Sequence, residues 1–591
     1  MHAVILAAGC GRRMLPLTAS SHKGLLPIGD TTPLDRIVDE LITSGISRIT
    51  VVTGHQAEEV EQHLRAHHPD APLSFVFNER YDSTNNIVSL GLALQHVEND
   101  EEMILVECDL LLAPGTLERL CTGAERNVAL VDRYRIGMDG TVVAIDDGHL
   151  AAIYPPALQP DDFAYVHTYK TLNVYRFTPS LIRDVMAPMI AASRDDHAYY
   201  EAILALVPDL RALQIEAGIV EAGSWTEIDD PVDLAAARFA FAPHERAAIL
   251  DRARGGHWSF ELLDFSFMVN VRFPTPAMLA AMRHALADLI GSYGSAATVL
   301  DEKLSWLLGC DPSRLVTLAG ASQAYPPLRR IWRDARVAIP APTFGEYARM
   351  FPTATTYADA PGLDLEALDD VAEEHDVMVI VNPNNPTGTA IPVAALHGLT
   401  ARHPGTVFLV DESFGGFTGE GALRELLEKQ PLDNVLIIAS LGKTLGVSGM
   451  RLGYLYGHDR RLLDAVVAEL PIWGVGSQTE HFLELTLKAR SEFHESLQAT
   501  IADRAALAAA LAELSGVAQV HPSGGNFLLV DLADPDPDAA AGLRDRLLVH
   551  ASIAIKDVTA RFPDAVPRIR VGVRLPEDNA LLLAALRRHL R

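Results

Sequence analysis

Short apolar runs alternate with helically spaced stretches along the whole chain. Ala3–Ala8, Ile49–Thr53, Met103–Val106, Val377–Asn382 and Val407–Val410 read as strands, and the segments between them carry the period of helices. That alternation predicts an α/β architecture with mainly parallel sheets. The opening "MHAVILAAGCGRR" is too short in its apolar part for a leader, so it reads as a buried strand entering a turn. No run reaches the length of a membrane-spanning helix. A break is expected near 240–258, which gives a first domain over 1–242, a linker over 243–258 and a second domain over 259–591. "DPDPDAAAG" at 534–542 reads as a surface loop.

Composition narrows the partners. With 49 basic and 77 acidic residues the net charge is −28, and no basic run stands out, which argues against nucleic acid or an anionic membrane. Cys10, Cys108, Cys121 and Cys310 are scattered without metal-ligand spacing or a disulfide framework, so a reducing cytoplasm is expected.

"SLGKTLGVSGMRLGY" (440–454) sets a lysine among small residues. A P-loop needs glycine six residues before its lysine, and that position is Ile437, so Lys443 is not a P-loop lysine. Covalent chemistry needs partners, and two strand ends offer them. "VIVNPNNPTGTAI" (379–391) ends in a polar turn, and "VFLVDESFGGF" (407–417) carries Asp411. A pyridoxal phosphate enzyme requires an amine for the Schiff base, an acid for the pyridine nitrogen, a donor to the ring oxygen and a phosphate cup. Lys443, Asp411, Asn385, and Ser440 with Arg451 answer these in turn.

"VILAAGCGRRMLPLTASSHKGLLPIGD" (4–30) follows a strand with a small-residue loop whose backbone N–H groups can approach a triphosphate, while Arg13 and Lys23 supply positive charge. The order of these pieces resembles the nucleotidyltransferases that make sugar nucleotides and CDP-choline, with His22 where a proline is usual. That resemblance implies a Rossmann-like domain in which Leu6, Ala8, Gly9 and Gly11 meet the nucleotide. It also implies that Asp109 in "MILVECDLLL" and Asp229 in "SWTEIDDPVDL" hold Mg²⁺. "NERYDSTNNIVSLGLAL" (78–94) is closer to the choline-phosphate and aminoalkylphosphonate branch, with Asn85 and Asn86 reading the base or capping the next helix. Tyr199, Tyr200, Glu201 and Asn173 are then expected to line a pocket for an amine-bearing acceptor.

Over 260–591 the motifs resemble fold-type I, class I/II aminotransferases. The resemblance implies cofactor contacts at Ala321 and Ser322, stacking of Phe344 on the pyridine ring, and Tyr293 reaching a partner subunit's cofactor, hence a homodimer. In "PRIRVGVRLPEDN" (567–579) it assigns Arg568 to the substrate carboxylate, and in "DFSFMVNV" (264–271) it adds Asn270. Histidinol-phosphate aminotransferases and threonine-phosphate decarboxylases are the nearest types. Phe414 replaces the aminotransferases' usual tyrosine, which leans the expectation towards decarboxylation.

A cytidylyltransferase fused to such a domain resembles a bifunctional type from phosphonate antibiotic biosynthesis. It implies CMP transfer from CTP to an aminophosphonate, expected to be 2-amino-4-phosphonobutyrate. Pyridoxal phosphate-dependent decarboxylation would then give CMP-5′-3-aminopropylphosphonate. The alternative is an aminotransferase acting on a phosphate- or phosphonate-bearing amino compound.

Overall fold

The computed structural model describes residues 1–135, 138–160, 163–207, 210–359 and 363–590. The chain forms two compact units, Met1–Glu261 and Leu262–Arg591. Residues 243–258, expected as a linker, instead belong to the first unit. They include the helix Arg246–Ala253, whose Arg246 Nε donates to the Phe239 carbonyl at 2.7 Å.

Among the described residues the first unit holds a nine-stranded sheet. Its spatial order is Leu73–Phe77, Arg48–Thr53, His2–Ala7, Met103–Glu107, Tyr169–Phe177, Asn127–Arg133, Ile215–Ile219, His149–Tyr154 and Val142–Asp146. The His2–Ala7 strand runs parallel to both neighbours and is apolar from Ala3 onward because each face is covered. Ala3, Ile5 and Ala7 enter one core cluster, while Val4, Leu6 and Ala8 enter the other. One neighbour lies on each side of this strand, so the loop after it opens where the sheet order reverses, the usual ligand position of such sheets. A separate two-stranded arm pairs Trp225–Glu227 antiparallel with Leu110–Leu112, with Glu227 opposite Leu110.

The second unit's main sheet, again among the described residues, has seven strands. They run in the order Leu315–Leu318, Gly453–Gly457, Val435–Ser440, Val407–Asp411, Val377–Val381, Val337–Ala341 and Thr355–Ala358. Only Gly453–Gly457 opposes its neighbours. Met378 and Ile380 pack into one face and Val379 and Val381 into the other. Three adjacent parallel strands end side by side, with Val381 opposite Asp411 and Asp411 opposite Ile438. A smaller antiparallel sheet of Val517–Val520, Phe527–Leu532, Arg568–Gly572 and Lys556–Asp557 completes the unit.

Gly446 lies just past the short helix Leu441–Thr444, with φ at +67°. A Cβ there would sit 1.9 Å from the Phe273 carbonyl oxygen and 2.2 Å from that of Asn270. Gly446→Ala is therefore expected to destabilise the second unit by at least about 2 kcal/mol. Chemical denaturation reads this, and an unchanged midpoint would mean that the backbone yields there.

Candidate active sites

Pairing of the two-stranded arm explains how acids about 120 residues apart meet. Asp109 follows the Met103–Glu107 strand, and its carbonyl accepts from Ile228 N at 2.9 Å. Glu227 and Asp229 flank that amide. Asp229 is not a helix cap: Asp230 and Asp233 form the capping box of Pro231–Phe241, and Asp233 also accepts from Asp229 N at 3.0 Å. The Asp229 carboxylate thus faces Arg13 at 2.8 Å and Lys23 at 3.6 Å. Lys23 Nζ pairs with buried Asp109. Burial pulls the Lys23 ammonium down, but Asp109, Cys108 and Asp229 together outweigh it and the pKa rises. His22 before it is buried and held neutral, its pKa pushed down by burial and Lys23 to about 3.

Oxygens of Asp109, Glu227 and Asp229 lie within 4.8 Å of one another, and Asp109 Oδ1 is buried without a hydrogen-bond partner. An all-carboxylate donor set suits a hard cation such as Mg²⁺. These acids open into a cavity of about 720 Å³ that also meets Leu6, Ala8, Gly9 and Gly11. Asn85, Asn86, Asn173, Tyr199 and Glu201 line it as well.

The asparagine pair is largely committed to holding the pocket wall. Asn85 caps helix Asn86–Leu94 and donates to the His197 carbonyl at 3.2 Å. Asn86 donates to Glu107 at 3.1 Å and accepts from Tyr200 N at 3.0 Å. Asn173, at φ +59°, accepts from Thr171 at 3.1 Å. Tyr200 departs from its expected role: its ring is fully buried edge-on to Tyr175, because it points into the core as Glu201 points to the cavity. Composition and motif order missed Glu107, Lys170 and Glu227. Burial raises Glu107, and lifts Glu201 and Glu227 to about 7, with Lys170 Nζ 3.3 Å from Glu227.

In the second unit the three strand ends bring Asn385, Asp411 and Lys443 together. Asp411 is buried, accepts from Tyr347 Oη at 2.6 Å and from Ser413 N at 2.9 Å, and has its pKa raised by burial. Burial lowers the Lys443 pKa to about 8, with help from Arg570 and Arg451 against Asp411. Arg451 donates to Ser322 Oγ at 3.1 Å, beside Ala321 on the turn that ends the Leu315–Leu318 strand. Ser440 closes the Val435–Ser440 strand and donates its N–H to Ser413 Oγ at 2.9 Å. Phe344 is part-exposed, edge-on to Tyr347. An amine with a lowered pKa, a buried acid, an amide and an arginine–serine pair fit pyridoxal phosphate. Tyr293 is 79% exposed and stacks on Trp473 of its own chain at 4.5 Å.

Two expectations change. Arg568 is engaged by Asp531 at 2.8 Å and Asp564 at 2.5 Å and lies over Phe562, so its guanidinium is taken up within the fold. Arg570, two residues on and on the same strand face, donates to Asn385 Oδ1 at 2.5 Å and is the arginine next to the cofactor residues. Asn270 is not a substrate ligand either. It donates to the Thr444 carbonyl at 2.9 Å and to Ser496 Oγ at 2.8 Å, and its N–H donates to the Lys443 carbonyl. Its role is to position the helix that carries Lys443.

Residues 264–586 match the family model "Aminotransferase class I and II". The chain belongs to that family. Residues 3–208 match "MobA-like NTP transferase domain". Along 99% of its length the chain is 29% identical to CMP-5'-(3-aminopropyl)phosphonate synthase of Streptomyces rubellomurinus, covering 94% of that relative. Histidinol-phosphate aminotransferase 2 of Burkholderia pseudomallei is 33% identical over 48% of this chain and 76% of its own. The crystal structure of L-threonine-O-3-phosphate decarboxylase from Porphyromonas gingivalis superposes with a TM-score of 0.50 at 23% identity. It covers 55% of this chain and 98% of that one, and shares the fold. This aminotransferase-family chain is therefore an enzyme that joins a nucleotidyltransferase domain to a fold-type I, pyridoxal phosphate-dependent domain. Among the described residues no helix is long and apolar enough to cross a membrane.

The lowered lysine gives a pH signature. Cofactor capture needs the neutral amine, so its rate in the apoprotein should rise with pH around a midpoint near 8, not near the 10.5 of an unperturbed lysine. Arg570→Met removes a neighbouring positive charge and should move that midpoint up. Visible absorbance of the captured cofactor reads it, and an unmoved midpoint would assign the shift to burial and Arg451.

Proposed function

We propose that the first unit transfers CMP from CTP to the phosphonate oxygen of an amino acceptor, and that the second decarboxylates the amino acid part. What carries this reading is that one chain keeps both reactive sets. Lys23 with Asp109, Glu227 and Asp229 forms one, and Lys443 with Asp411, Asn385 and Arg570 forms the other.

In the first site Asp109, Glu227 and Asp229 would hold Mg²⁺, which supplies Lewis acidity towards phosphate oxygens. The phosphonate oxygen forms a bond to the α-phosphorus of CTP as the bond to pyrophosphate breaks. Arg13 and Lys23 offset charge building on the transferring group, and the acceptor oxygen is already anionic, so no strong base is required. Glu201 deepens the acceptor assignment. Its Oε2 is buried without a partner, Glu107 adds a second acid nearby, and Lys170 is already shared with Glu227. An ammonium group compensates such a pair. Glu201→Gln should raise the KM for the amino acceptor at least about tenfold while leaving that for CTP unchanged. Equal KM values for the acceptor in both proteins would remove Glu201 from that role.

In the second site Lys443, Asp411, Asn385, Ser322 and Arg451 would hold pyridoxal phosphate, which supplies an electron sink for a bond broken at Cα. Arg570 binds the anionic end of the substrate, and Lys443 returns the proton to Cα. Phe414 supports loss of CO₂ over amino transfer. It packs edge-on to Phe527 at 5.2 Å and brings no hydroxyl to the ring oxygen.

The test is incubation with CTP, Mg²⁺ and a panel of aminophosphonates, including 2-amino-4-phosphonobutyrate, followed by mass spectrometry and CO₂ assay. Lys443→Ala should abolish CO₂ release and keep pyrophosphate release. Asp109→Asn should cut pyrophosphate release at least about 100-fold and keep the cofactor's visible absorbance. Amino transfer to a keto acid without CO₂ would replace decarboxylation by transamination. Loss of pyrophosphate release in folded Lys443→Ala, or of the cofactor's visible absorbance in folded Asp109→Asn, would overturn the two-site reading.

A further inference from the structure

The first unit contains a second group of metal-capable side chains, chemically unlike the acids at the nucleotide site. Asp35 lies in the first turn of helix Pro33–Thr43, and helix Ala57–His67 brings His63 and His67 against it. Ligand atoms of these three residues lie within 4.8 Å of one another. His63 Nε2 is 2.9 and 3.0 Å from the two Asp35 oxygens, and His68 Nε2 is 3.0 Å from Oδ1. A tetrahedral ion with nitrogen and oxygen bonds of about 2.0 Å holds its donor atoms roughly 3.3 Å apart, so the His63–Asp35 pair needs only a small expansion.

His63 Nε2 and His68 Nε2 donate to the acceptor-only Asp35 carboxylate, so ion binding at His63 would release a proton, whereas His67 is already set for ligation. His67 Nδ1 lies 2.9 Å from the His63 carbonyl, which can only accept, so that nitrogen carries the proton and Nε2 keeps its lone pair. His68 bridges two carboxylates of helix Pro33–Thr43, with Nε2 3.0 Å from Asp35 Oδ1 and Nδ1 3.3 Å from Asp39, and so holds the Asp35 carboxylate in place. The His63 and His67 rings stack at 4.0 Å, a geometry that suits two neutral rings and penalises two imidazolium cations. Asp35 is buried, whereas His67 is exposed, which leaves an entry path for an ion.

We propose that Asp35, His63 and His67, with water as a fourth donor, bind one first-row transition ion of the zinc type. Imidazole donors favour such an ion over Mg²⁺, so the two metal-capable groups of this unit select different cations. The ion ties the two helices together. One turn before His63, Glu59 accepts from Ser21 Oγ and His22 N at 2.8 Å each, so the braced helix supports the segment that leads into Lys23.

Co²⁺ is the probe, added to the full chain after chelator treatment, with Asp109→Asn assayed in parallel to remove the oxygen-only group. One equivalent should bind with the visible bands of a tetrahedral site, and Mg²⁺ in excess should not displace it. His67→Ala should weaken binding at least about tenfold, and His63→Gln with His67→Ala should abolish it. Zn²⁺ should raise the thermal midpoint of the parent chain and leave that of the double variant unmoved. Co²⁺ binding that ignores both histidine changes, or a parent midpoint that ignores Zn²⁺, would overturn the site. The histidines would then serve only as hydrogen-bonding partners of Asp35.

Discussion

Burying an acid is expensive unless an opposite charge or a hydrogen bond meets it, and both reactive centres are organised by how this chain meets that demand. In the first unit Lys23 neutralises Asp109 at the end of a central strand, and Arg13 does the same for Asp229. In the second, Tyr347 and Ser413 hold Asp411 by hydrogen bonds, while Lys443 is the nearby amine. The same solution appears away from the chemistry. Arg568 compensates Asp531 and Asp564, and Arg176, on a strand of the first unit's sheet, compensates Glu102 at 2.8 Å.

Strand ends are the second organising element. A parallel sheet delivers successive carboxyl termini to one edge at the spacing of neighbouring strands, so residues distant in sequence arrive together without any loop having to search for them. Asn385, Asp411 and Lys443 are brought together this way. Asp109 and Asp229 need one more device, the antiparallel arm at Trp225–Glu227, whose register lays one acid-bearing turn over the other.

Much of this was legible in the sequence. Continuous apolar runs identified strands covered on both faces, and the lysine at 443 with the acid at 411 carried its chemistry in residue type and order. What was not legible has a geometric reason. Arg568 and Arg570 lie two apart on a strand and therefore share a face; only the pairing of Asp531 with Arg568 tells them apart. Asn270 carries no local sign that its partners are Thr444 and Ser496. Lys170 meets Glu227 across 57 positions, and nothing in "YKTLNVYRF" announces a buried cation. Tyr200 was misread because two adjacent tyrosines at a helix start point in different directions, one to the cavity and one to the core.

Asn270 also sets a timetable. The amide is made early in the second unit, yet the groups it binds belong to residues 443–444 and 496, which leave the ribosome some 170 to 230 residues later. The first unit, whose last residue is Glu261, is complete before that segment emerges. During synthesis a finished nucleotidyltransferase domain therefore precedes a half-made partner that cannot lock its lysine-bearing helix until most of its own chain is present. For part of every synthesis cycle, the ribosome-bound chain carries one formed site and one unformed site.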